Sequence, residues 1–380
     1  MIIQSEKVWT ANGFFPLQLE IDGGKIVQVY DYATKKVDRD YGSQWILPGF
    51  IDVHTHGAYG FDTNDGNEEG LRNWAKHLPA DEGVTSFLPT TITQSEEVLS
   101  KAVANVAKVM EEGYEGANIL GIHFEGPYLD MKYKGAQPPE YILDANLEQF
   151  KRYQAAAKGN IRYITIAPEH DEDLKMIRWL AQHSVVVSLG HSAATFQQAV
   201  LAVANGAKTM THVYNGMTPY NHRQLGLVGS AFRIRDVYGE IICDGYHSTV
   251  DALNNYFAIK DPDYSVMISD SLRCKGLPEG QYTSGGAEIT LTPQGTAVLT
   301  GTNTLAGSTL RINKGLQVLI EKALVPVAAA INSCTLNPAK VLGLDDHKGK
   351  LVAGYDADVV VLDQQYNVVQ CYVNGKEQVL

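Results

Sequence analysis

Cysteine is scarce in this chain: there are four in 380 residues (Cys243, Cys274, Cys334, Cys371), with no C-x-x-C pair and no tight framework. That excludes a disulfide-stapled fold and reads as reduced thiols in a cytoplasmic protein. Long apolar runs are missing too. None approaches the roughly 18 residues a membrane helix needs, and the opening "MIIQSEKVWTANGF" lacks the basic stretch and apolar run of a secretion signal. Positive charge is also short, with 31 Lys and Arg against 43 Asp and Glu and a formal net charge of −12. This balance argues against nucleic acid as a partner and offers anions no general attraction, so a phosphorylated substrate would need a local basic pocket. No Pro/Ser linker or low-complexity block divides the chain. What remains is an ordinary globular composition, 44% hydrophobic and 19% charged, long enough for one barrel with an appendage.

Both ends are β-rich. "FFPLQLEIDGGKIVQVY" carries hairpin chemistry at Asp22-Gly23-Gly24, and "GKLVAGYDADVVVLDQQYNVVQCYVNGKEQVL" alternates apolar and polar residues, with a turn at Asn374-Gly375. Residues 1–46 and 346–380 are therefore expected to assemble one small β-sandwich domain. Between them, 47–345 alternates. Apolar, β-branched runs predict strands at 49–54, 84–90, 119–125, 161–168, 185–190, 209–214, 238–244 and 265–269. Helices are expected between them, among others at 95–111, where Ser95 can cap the first turn, and at 193–205. Eight βα units indicate a closed (β/α)8 TIM-like barrel, with a doubly wound open sheet as the alternative. The stretch 279–304 breaks the rhythm and reads as a β-hairpin insertion after the eighth strand.

In such a barrel the chemistry gathers at the C-terminal ends of the strands. Strand one ends in His54-Thr55-His56, whose i, i+2 spacing puts both imidazoles on one face of an extended strand. Strand three ends in Glu125, five in His191 and eight in Asp270; strand six carries His212 and strand seven runs into "CDGYH" with His247. Any one of these alone reads as a cap or a solvated loop residue. Six strand ends supplying only imidazole and carboxylate point instead to a divalent metal centre. Nitrogen and oxygen donors without thiolate suit zinc, iron or manganese, and four imidazoles with two carboxylates are enough for two ions, one carboxylate bridging.

The series H-T-H, H-F-E-G-P, G-H-S, T-H-V-Y-N, D-G-Y-H, S-D and L-A-G-S resembles the amidohydrolase superfamily. "HFEGPYLDMKYKGAQ", "HVYNGMTPYNHRQLG" and "LAGSTL" are similar to its N-acetylglucosamine-6-phosphate deacetylase family, and the likeness spans nearly the whole chain. The resemblance implies hydrolysis of the acetamide of N-acetyl-D-glucosamine 6-phosphate to D-glucosamine 6-phosphate and acetate, in amino-sugar catabolism, by a homodimer. Glu125, His191 and His212 would hold one divalent ion and His54 and His56 a second, with zinc first and Fe2+ or Mn2+ as alternatives. Asp270 matches the catalytic aspartate and His247 the residue that contacts the substrate carbonyl and sugar. Asn215 and Gly216 would lie near the phosphate with Arg223 as its guanidinium partner, and Ala136 and Leu305, Ala306, Gly307 and Ser308 would touch the sugar. Three departures from the commoner pattern (Thr218, Gly216 and Gln137) leave glucosamine and galactosamine open.

Elementary chemistry runs the same way. A secondary amide needs an activated water, a polarised carbonyl and a proton for the departing amine, which a metal and an adjacent carboxylate can supply. A cyclic-amide hydrolase is the more remote alternative; its bridging lysine has no counterpart in "APEH" after strand four, and Glu125 can take that role. A non-catalytic scaffold of the same fold would have lost metal ligands, and none is missing.

Overall fold

The computed structural model describes residues 1–10 and 13–378; residues 11–12 and 379–380, which fall in the two terminal segments, lie outside the described residues. Eight parallel strands form the centre: β1 (Phe50–Thr55), β2 (Val84–Thr91), β3 (Ile122–Glu125), β4 (Ile161–Ile166), β5 (Val186–Leu189), β6 (Ala207–Met210), β7 (Tyr238–Ile242) and β8 (Ser265–Ile268). Each pairs in parallel with the next. The ring closes where the Asp270 amide donates to the His54 carbonyl at 2.8 Å. Every residue of β1, β2, β7 and β8 is buried, as strands sandwiched between a barrel interior and outer helices must be.

The helix expected at 95–111 runs from Glu96 to Glu112, and its Val98 amide donates to the Ser95 hydroxyl. The helix expected at 193–205 starts later, at Phe196, because Thr195 and Gln198 form a reciprocal capping box there. Two strands also differ from expectation. Gly121, at φ 138°, splits the third into Asn118–Ile119 and Ile122–Glu125, and the sixth ends at Met210, two residues short of His212.

Strands from both ends of the chain share one further sheet. Trp45–Pro48 runs antiparallel to Val359–Leu362 and joins the N-terminal strands to the C-terminal ones. Alternation along Val359–Leu362 decides what the sheet packs against. Val359 and Val361 meet Ile3, Leu19 and Tyr372 in the small core, while Val360 and Leu362 enter the core of the barrel. The hairpin turns sit at Gly23–Gly24 and Asn374–Gly375, all four residues at positive φ as a type I′ turn requires.

The 279–304 segment forms three strands rather than a two-stranded hairpin: Gly280–Ser284, Ala287–Leu291 and Ala297–Leu299. Ile289, Leu291 and Ala297 pack on Ile92, Leu272 and Ala306, at the mouth of the barrel rather than on the terminal sheet.

One buried ion pair ties the first helix to the loop after β8. Lys275 Nζ lies 2.6 Å from Glu82 Oε1, both side chains almost fully enclosed, and Glu82 Oε2 also accepts the Ile312 amide. Lys275→Met should leave Glu82 charged and unpaired and lower unfolding free energy by about 3–5 kcal/mol, measured by chemical denaturation. Replacing both partners with apolar residues should recover most of that loss; a double variant no more stable than the single would contradict the argument.

Candidate active site

Glu125 is the last residue of β3, and His54 points into the barrel from β1. His191, His212 and Asp270 each stand two residues beyond the end of β5, β6 and β8. All three hold positive φ (46°, 28° and 49°), a backbone region that side chains other than glycine rarely adopt. Such outliers persist where the surroundings over-determine them, and they concentrate at functional sites. Here they turn three side chains inward over the barrel.

The six side chains make one cage. Glu125 Oε1 has three imidazole nitrogens around it: His54 Nε2 at 3.4 Å and His191 and His212 Nε2 at 3.3 Å each. His56 Nε2 lies 3.3 Å from Glu125 Oε2 and 3.1 Å from Asp270 Oδ1. The rings also face one another, His212 to His191 at 3.1 Å and His54 to His56 at 3.4 Å, nitrogen to nitrogen. Each ring's other nitrogen is occupied. Nδ1 of His54 meets Glu240 at 3.0 Å; those of His56, His191 and His212 meet the carbonyls of Thr90, Tyr133 and Asn215. A carbonyl can only accept, so in those three rings Nδ1 carries a proton, and a cation that displaces any proton on Nε2 would meet the Nε2 lone pair facing the cage. Glu125 Oε1 is buried without a hydrogen bond. Acceptors converging on a carboxylate oxygen that nothing satisfies fit a divalent cation, and two overlapping clusters meet at Glu125: His54–His56–Glu125 and Glu125–His191–His212.

The titration behaviour reflects that crowding. Burial works to lower the His54 and His56 pKa values, yet the negative charge of Glu125 and Asp270 overrides it; His54 stands well above its ordinary range and His56 at about 9. Burial works to raise Asp270, but His54 and His56 outweigh it and bring the carboxyl down to about 2.

The cage opens into a cavity of about 380 Å³. Of the residues expected at the substrate, Ala136, Asn215, Gly216, His247, Leu305, Ala306 and Gly307 line it. Gly216 has φ 57°, and a Cβ there would come within 2.9 Å of His191 Nδ1. His247 is fixed by Asp244, whose Oδ2 lies 2.7 Å from its Nδ1; burial lowers its pKa, but Asp244 reverses this and raises it. Two expected residues stand elsewhere. Ser308 turns its hydroxyl onto the Ser269 carbonyl. Arg223 is exposed on the loop after Gly216, outside the cavity lining, with no carboxylate partner among the described residues.

Sequence reasoning missed the supporting groups. Gln137 donates to Glu125 Oε2 at 2.6 Å and accepts the Thr93 amide, and the insertion contributes Ser284, Ile289, Asn303 and Thr304 to the cavity wall. Gln137 stood out only as a departure from the commoner pattern, and Glu240 left a trace as a lone acid inside the buried run "VYGEIIC", where a charge needs a partner.

A closed β/α barrel with an imidazole–carboxylate cage at its C-terminal mouth, able to hold divalent metal, is the architecture of a barrel hydrolase. Residues 45–377 match the model of the amidohydrolase family, and the chain belongs to that family. It is 39% identical over 365 residues to the N-acetylglucosamine-6-phosphate deacetylase of Bacillus subtilis, covering 93% of this chain and 91% of that one. It is 35% identical over 376 residues to the N-acetylgalactosamine-6-phosphate deacetylase of Escherichia coli O157:H7, covering 99% and 98%. Among solved structures, a mutant N-acetyl-D-glucosamine-6-phosphate deacetylase from Mycobacterium smegmatis in complex with N-acetyl-D-glucosamine-6-phosphate superposes with a TM-score of 0.94 at 30% identity, covering 100% of this chain and 99% of that one.

Proposed function

We propose that the protein hydrolyses the acetamide of N-acetyl-D-glucosamine 6-phosphate, releasing D-glucosamine 6-phosphate and acetate. The observation that carries the chemistry is the cage itself, opening on a cavity whose wall holds Asp270 and His247. The identity of the substrate rests on whole-length likeness to deacetylases of that sugar. A galactosamine preference is the second reading, favoured by the E. coli relative that matches almost end to end.

In this reading Glu125, His191 and His212 hold one divalent ion and His54 and His56, with Glu125 and Asp270, a second; zinc comes ahead of iron(II) or manganese(II). Bound there, the metal supplies Lewis acidity that acidifies the attacking water and polarises the acyl oxygen. Asp270 takes the proton of the water as its oxygen bonds to the acyl carbon, then returns it to the nitrogen as the C–N bond breaks. His247, its Nδ1 engaged by Asp244, presents Nε2 to the oxyanion that develops on the acetyl group. The apolar wall of Ile92, Leu272, Ile289 and Leu305 suits the acetyl methyl and the sugar's less polar face. The Asn215–Gly216 segment serves the phosphate from the cavity wall, and Arg223, exposed on the loop that follows, serves it from outside that lining. A cytoplasmic location suits the four free, buried thiols, and a homodimer is what the family resemblance implies.

Purified protein given N-acetylglucosamine 6-phosphate, its galacto epimer and the unphosphorylated sugar should release acetate fastest, by kcat/KM, from the first. Hydrogen bonds to charged groups are worth roughly 1.5–3 kcal/mol. Arg223→Ala should therefore lower kcat/KM on the phosphorylated sugar by about one to two orders of magnitude and barely affect the unphosphorylated one. A galacto preference would transfer the assignment to the second reading, and no acetate from either phosphate would overturn both.

A further inference from the structure

Beneath the cage lies a buried acidic side chain that the reaction above does not use. Glu240, on β7, is fully buried. Its Oε1 accepts the Tyr163 hydroxyl, and its Oε2 lies 3.0 Å from His54 Nδ1 and accepts the His212 amide at 3.4 Å. Among the described residues no lysine or arginine pairs with it, and its one ionisable partner within salt-bridge distance is His54. A carboxylate this deep, surrounded by neutral donors, is costly unless positive charge lies close by. The cage is where that charge would sit. His54 also differs from the other three rings. They rest on backbone carbonyls, whereas His54 alone rests on a carboxylate. An anionic acceptor at Nδ1 fixes the tautomer and makes Nε2 a stronger donor to a metal than a carbonyl does.

We propose that Glu240 is a positioning residue that acts through His54: it holds the proton on Nδ1, aims the free Nε2 at the cage, and gives the His54–His56–Glu125 cluster its affinity for an ion. The Glu125–His191–His212 cluster, whose rings rest on carbonyls, does not depend on it. This rests on the two-ion reading of the cage.

The test is equilibrium dialysis against Zn2+ with ions counted per chain. Glu240→Gln keeps the shape and an acceptor for His54 but removes the charge. Wild type should bind two ions; the variant should keep one with unchanged affinity and bind the second about 10–100-fold more weakly, the usual cost of losing such a partner. The retained ion, with a native circular-dichroism spectrum, shows that the barrel is intact. A variant that binds both ions as tightly as wild type overturns the role of Glu240 and leaves the two-ion reading standing. A variant that loses both ions overturns it as well, because Glu240 then serves the barrel at large. A second measurement needs no variant: in 15N spectra of the zinc-loaded wild type, His54 should carry its proton on Nδ1, and a proton on Nε2 would refute the assignment. Wild type that never exceeds one ion overturns the two-ion reading and this inference together.

Discussion

Replacing Asp270 with asparagine should lower kcat by about 10²–10⁴-fold, the usual contribution of general acid–base catalysis, with the fold intact. The backbone around Asp270 is held from both sides: its amide donates to the His54 carbonyl at 2.8 Å, and its carbonyl accepts the Ser308 amide at 2.7 Å. Asparagine can keep both bonds and the positive φ, which it tolerates better than most residues. What it loses is the carboxylate proposed to receive the water's proton, which stands 3.1 Å from His56 Nε2. Steady-state kinetics with acetate detection measure the effect. Turnover near the wild-type rate would remove Asp270 from the proton's route.

Stripping divalent metal with a chelator should cost more. Lewis acidity contributes several kcal/mol of transition-state stabilisation, and roughly 1.4 kcal/mol is tenfold in rate, so metal-free protein should lose about 10³-fold or more in kcat/KM. Glu125 is the reason a large loss is expected. It belongs to both clusters, and without a cation its Oε1 is a buried acceptor with no hydrogen bond. Readdition of Zn2+, Fe2+ or Mn2+ should restore activity, and the metal that restores most identifies the best fit to the cage.

Much of this was legible in the sequence because the barrel writes each element locally. Apolar β-branched runs mark all eight strands, and side-chain alternation places His54 and His56 on one face. The six candidate ligands sit at or just beyond strand ends, where the fold concentrates chemistry. What could not be read depends on partners distant in the chain. Glu240 is 186 positions from His54, and only the register of the closed barrel brings them together. The insertion read as an interruption, yet its Ile289 and Ala297 pack on Leu272 and its Ser284 and Thr304 reach the cavity. Arg223 is named by a motif and stands exposed on the loop after Gly216, outside the cavity lining. The end of the sixth strand was misplaced for a local reason. "TMTHVY" has strand composition throughout, but the positive φ of His212 ends the extended backbone early.

Metal in the cage serving amide hydrolysis is tested most directly by one titration. Metal-free protein is titrated with Zn2+ while bound ions and acetate release from N-acetylglucosamine 6-phosphate are followed in the same sample. Activity should rise from near zero in step with occupancy and level off at two ions per chain. Full acetate release from the metal-free protein, or none from protein carrying its full complement of ions, would contradict it.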